Sequence, residues 1–250
     1  MRIWPCALSS LAALIVSAPA SAVPINHGDF VGSTVTYLQV TEDSGTDATP
    51  LFGAPSVFAD VLDFNPVSFN SSSTGAGGVD ITDGTLTFMV TANPGNVIDE
   101  LAFSEAGDFT LTGPGGVGTF AGVTSSIFID IVEVDGSGIT PVQVITSMTF
   151  APSAGNWDLL NDGPGPLNGI WTGGATVDLL QALIDENVPF TSGVTKVNVS
   201  LDNTLSTTSE DGTSSFIAKK DTKGLSVTTP EPSTVVLLAG GLLALARRRG

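Results

Sequence analysis

Glu133 and Asp135 stand two residues apart at the end of an apolar run, so a strand there sets both carboxyl groups on one face. Paired carboxyl groups do acid–base work on glycosidic bonds. A fuller acidic strand would carry a third carboxylate at the next alternate position, which is Ser137. Two acids turning into Gly136-Ser137-Gly138 fit the residues better than a catalytic pair. Other chemistries fail on inventory. His27 is the only histidine, near the mature amino end, so a Ser-His-Asp triad or histidine-bearing zinc site would hang on it alone. Cys6 is the only cysteine and lies in a segment expected to be removed, leaving the body without thiol catalysis, thiolate metal sites or disulfides. No glycine-rich phosphate loop followed by lysine is present.

Hard-cation chemistry has more material. Asp43 with Asp47, Asp80 and Asp83 before Gly84, Asp158 with Asn161 and Asp162, and Glu210-Asp211-Gly212 are acidic turns with oxygens to offer calcium. None has the spacing of an EF-hand loop, and Asp, Asn and Gly are also what ordinary turns use. Trp157 and Trp171 are the candidates for sugar stacking, because an indole ring packs against the apolar face of a pyranose. The same two rings suit a core.

The elements that would position these residues follow period two almost throughout. Strands are expected over 31–40, 57–64, 85–91, 97–103, 109–112, 119–123, 127–134, 142–150, 195–202, 214–219 and 225–228, with 127–134 and 142–150 as a hairpin. The Ser/Gly run 70–78 reads as flexible, and 151–175 as loop. Residues 176–186 read as the one helix, with Val177, Leu180, Leu183 and Ile184 on a face. Short strands, frequent turns and one helix predict an all-β fold, an antiparallel β-sandwich that is jelly-roll-like or immunoglobulin-like.

Two addresses flank this body. Met1 and Arg2, the apolar run 7–16 and the small residues Ala20-Ser21-Ala22 before Val23 predict a signal peptide cut after Ala22 by signal peptidase. At the other end, Pro230-Glu231-Pro232-Ser233-Thr234 precede the uncharged run 235–246 and then Arg247, Arg248 and Arg249. Twelve residues of helix reach roughly 18 Å, short of a hydrocarbon core of roughly 30 Å. Such a short transmembrane helix spans poorly. The arginines set its orientation, holding that end on the cytoplasmic side. Pro230 and Pro232 forbid helix through the junction and leave it open to a protease. The domains are thus 1–22, signal peptide; 23–228, sandwich; and 229–250, sorting and anchor segment.

Charge narrows the partners. Of 25 acidic residues only Glu231 lies outside the body, leaving 24 against Lys196, Lys219, Lys220 and Lys223, a net charge of about −20. That excludes nucleic acid and repels anionic lipid.

Pro-Glu-Pro, a short apolar helix and a terminal arginine cluster, in that order, resemble the PEP-CTERM sorting signal of exopolysaccharide-producing Gram-negative bacteria. The resemblance covers about a tenth of the chain. It implies an exosortase-type membrane protease acting at 230–234, an inner-membrane intermediate, and a final place on the outer surface or in the extracellular matrix. The expectation is a non-enzymatic, exosortase-processed surface or biofilm-matrix protein, in contact with exopolysaccharide. A carbohydrate-binding module with structural calcium is the second reading. A glycoside hydrolase, the third, needs carboxyl groups about 5 to 10 Å apart in a groove.

Overall fold

A computed structural model describes residues 23–66, 68–220 and 225–228. The signal peptide, the sorting segment and its arginines lie outside the described residues. The chain runs through β1 (Ile25–Val31), β2 (Val35–Asp43), β3 (Ser56–Phe58), β4 (Val61–Phe64), β5 (Asn70–Thr74), β6 (Gly78–Ala92), β7 (Glu100–Thr112) and β8 (Phe120–Val134). It continues with β9 (Ser137–Ser147), β10 (Thr149–Ala151), β11 (Asn156–Asp158), β12 (Leu167–Asp178), helix α1 (Leu179–Asp185), β13 (Val194–Ser209), β14 (Ser214–Lys219) and β15 (Leu225–Thr228).

These strands form two antiparallel sheets packed as a sandwich. The first has the order β1-β2-β6-β13-β8-β11, with β9 also paired to β8. The second has the order β10-β12-β7-β15-β4-β3, with β14 between β7 and β5. Alternation explains the layering: Leu86, Phe88 and Val90 of β6, Ile127, Ile129 and Ile131 of β8, and Val197, Val199 and Leu201 of β13 are buried together between the sheets. Each such side chain contributes about 1.5–3 kcal/mol by leaving water. Asp178 caps α1 by accepting from the backbone N–H of Gln181, and Leu179 and Leu183 seat the helix on the core.

The predicted strands 97–103 and 109–112 are one strand, β7, running straight through Gly107. No turn forms there. Ala218 and the Trp171 indole fill the space where a side chain on Gly107 would sit, so the glycine serves close packing inside the sheet. The stretch read as loop contains β12, for the same reason: Gly169 makes room for the Phe109 ring and Gly173 for that of Phe150. α1 is shorter than predicted, because Thr176 and Val177 remain in β12 opposite Ala102 and Leu101. The serine run read as flexible includes β5, paired along its length to β14; Ser71 is buried, bonded to Asp80 O and to Thr207 Oγ1. The expected hairpin is present as β8 and β9, but the chain leaves it at Met148 and crosses to the second sheet as β10. His27, expected at a loose terminus, is in β1 with Nε2 3.6 Å from the buried Glu42.

Candidate functional site

Glu133 and Asp135 do meet in one groove, of about 380 Å³, that they share with Pro94, Asn96 and Ser192. Their bonds assign them another task. Glu133 accepts from Lys196 Nζ at 3.0 Å and Thr195 Oγ1 at 2.9 Å, which hold its carboxyl below the usual range. Asp135, in the turn after β8 with φ 51°, accepts from the backbone N–H groups of Gly193, Ser192 and Thr191 at 3.0, 2.7 and 2.7 Å. Those donors lower its pKa as well. A glycosidic acid needs a carboxyl whose pKa is raised. Here both are driven the other way, and the pair clamps the β8–β9 turn to the segment before β13.

The sugar-stacking reading of Trp157 and Trp171 is overturned. Trp157 is 2% exposed and lies flat on Phe109, ring centres 4.2 Å apart at 13°. Trp171 is fully buried, with Phe150 edge-on at 5.9 Å. The Gly, Pro and Asn around them read as loop, but both indoles stand on inward positions of strands, β11 and β12. The acidic turns spend their oxygens on local donors. Asp158 accepts from Leu160 N, Asn161 N and Asn161 Nδ2, Asp80 from Ser72 N, and Glu210 from Gly116 N and Thr119 Oγ1. Among the described residues no three His, Cys, Asp or Glu side chains gather where they could hold a metal ion.

The body ends on β15, which is paired on both edges: Val227 faces Leu62 of β4 and Phe103 of β7, and Thr228 faces Val61 and Ala102. A strand held by two neighbours is a firm mooring for whatever follows it. On the far side of β7, Asp178 of β12 pairs with Glu100, and burial and the charge of Asp178 raise the Asp99 pKa. Residues 228–249 match the PEP-CTERM protein-sorting motif. The chain carries a PEP-CTERM sorting signal.

No curated protein matches the chain. Among solved structures it is similar to endoglucanase 3 of Trichoderma harzianum, from family GH12, at 12% identity over 86% of this chain and 100% of that one, with a TM-score of 0.20. It is also similar to the VP2 subviral particle of infectious bursal disease virus, at 12% identity, 88% and 60% coverage and a TM-score of 0.12. At those scores neither likeness carries a functional argument.

The PEP-CTERM motif marks the protein for export and for processing at the membrane by an exosortase, a membrane protease of Gram-negative bacteria. It begins on the last residue of β15, so body and signal adjoin with no spacer between them. The signal-peptide residues Ala20 and Ala22, the junction Pro230 to Thr234 and Arg247 to Arg249 lie outside the described residues; Val23 is the first described. Among the described residues no helix is long and apolar enough to cross a membrane.

Sequence reasoning missed a buried polar group in the sandwich. Lys219, Glu105 and Asn203 are 3%, 1% and 0% exposed and meet between the sheets, where Lys219 Nζ donates to Glu105 Oε2 and to Asn203 Oδ1. Burial pushes Glu105 up and Lys219 down from their ordinary values, against the attraction between them. The available signal was the alternation of β14, which sends Ser215, Ile217 and Lys219 to one face.

Proposed function

We propose that this chain is an exported, exosortase-processed protein of the bacterial surface or exopolysaccharide matrix, whose sandwich serves as a structural or binding body and not as an enzyme. The observation that carries the reading is the PEP-CTERM motif at 228–249, starting where the last body strand stops. Signal peptidase opens the route at Ala22, and the exosortase closes it at 230–234. The charge of the body supports the same picture: at about −20 it is repelled by anionic headgroups, so it stands off the bilayer while the tail is held there. The downward shifts of Glu133 and Asp135 leave their groove without a carboxylic proton donor at neutral pH.

Replacing Pro230, Glu231 and Pro232 together by alanine tests the reading in the native host. The expected result is a full-length, membrane-held protein that no longer reaches the medium or outer surface. Unchanged maturation and release would overturn it.

A further inference from the structure

We propose that Lys219 and Asn203 form an intramolecular amide bond, with Glu105 as the proton carrier, and that this bond ties the two sheets covalently. Asn203 stands on β13 in the first sheet. Lys219 ends β14 in the second, and Glu105 lies on the adjoining β7. The Lys219 Nζ to Asn203 Oδ1 contact is 2.6 Å, so with a C=O bond of about 1.2 Å the amide carbon lies within about 3.8 Å of the amine. That is close to the separation from which a held nucleophile attacks.

The surroundings favour reaction over a permanent ion pair. Both side chains of the Lys219–Glu105 pair are wholly buried. Glu105 Oε1 and Asn203 Nδ2 are buried with no hydrogen-bond partner, a costly arrangement for three groups meant only to hold one another. The rings of Phe69 and Trp171, centred 5.2 and 5.5 Å from Nζ, wall the group off from water. Burial penalises the ammonium and the carboxylate together, which favours passing the proton from Lys219 to Glu105 and leaving a neutral amine beside a neutral acid. Lysine is scarce here, with four in the body, and one of them is committed to the core. Without cysteine in the mature body, no disulfide can brace the sheets.

The step balances without a further reactant. The Nζ lone pair attacks the Asn203 amide carbon while the Glu105 acid protonates its oxygen. A proton from Nζ passes by way of the Glu105 carboxylate to Nδ2, the carbon–Nδ2 bond breaks as the oxygen returns its proton to Glu105 and re-forms the carbonyl, and ammonia leaves. Glu105 ends as it began, and a secondary amide joins Nζ to the Asn203 carbonyl.

Peptide mapping of the folded full chain tests this. Trypsin should fail to cut at Lys219 and should yield the fragment 197–220 lighter by one ammonia, about 17 Da. A second protease cutting after Glu210 should leave the two halves joined. Glu105→Gln, checked for native strand content, should give the unlinked halves at full mass. Halves that separate from the wild-type protein overturn the proposal, whether at full mass or lighter by the ammonia that a local succinimide at Asn203 would also lose. The outcome is independent of tail processing, since the map reads the body alone.

Discussion

Two lysine–glutamate pairs in this body differ only in where they sit. Lys196 and Glu133 meet at 3.0 Å on the rim, with side chains 31% and 23% exposed. Lys219 and Glu105 meet with none of either side chain exposed. On the rim, water solvates both charges, and the bonds from Lys196 and Thr195 pull the Glu133 pKa down. In the core, desolvation outweighs the same attraction and pushes Glu105 up. The first environment preserves an ion pair. The second penalises both charges of the identical functional groups, next to an amide.

The largest effect should come from breaking the core pair on one side. Lys219→Ala leaves Glu105 without its partner and should cost about 3–5 kcal/mol, lowering Tm by about 10 °C in a calorimetric melt. The double change Lys219→Met with Glu105→Gln removes both charges and refills the space but cannot form the amide, so it should recover only part of that loss; a double variant no more stable than Lys219→Ala would break the contrast between core and rim. Next in size is Gly107→Val, which drives a branched side chain into Trp171 and the backbone of Ala218 and should cost about 1–3 kcal/mol in urea unfolding.

The smallest effect belongs to the rim, where Glu133→Gln should cost about 0.5 kcal/mol at neutral pH. Its pH dependence sharpens the comparison. Glu133 is lowered from 4.5 in the folded state, so its contribution is present above that value and is lost as pH falls through the folded pKa. Wild type and Glu133→Gln should therefore melt together at strongly acid pH and diverge above about 4.5. Asp135, lowered from 3.8 by three backbone donors, should follow the same sign, with Asp135→Asn melting lower only above that range.

Much of the sandwich was legible because period-two alternation survives wherever a strand has one wet face. β14 and β15 fall on the predicted 214–219 and 225–228, and the β8–β9 hairpin was visible in its paired runs. What hid was glycine used as space. Gly107, Gly169 and Gly173 carry the turn signature in sequence, yet each lies flat in a sheet because an aromatic from a neighbouring strand occupies its missing side chain. That same exchange concealed both tryptophans, whose glycine-rich neighbours suggested a loop. The Lys219 cluster was illegible for a different reason: its members are 16 and 98 residues from Asn203, and only the crossing of two sheets brings them together. The sorting signal was the most readable part because it is recognised as an ordered string of residues, independently of tertiary packing.

The central claim is that 230–234 is a cutting mark and that the short apolar run beyond it is not a lasting anchor. Mass spectrometry of the carboxyl terminus of the natural, surface-located protein tests it most directly. The account predicts a product ending at or near the Pro230-Glu231-Pro232 junction, without the apolar run. A mature protein still bearing Arg247, Arg248 and Arg249 would contradict it.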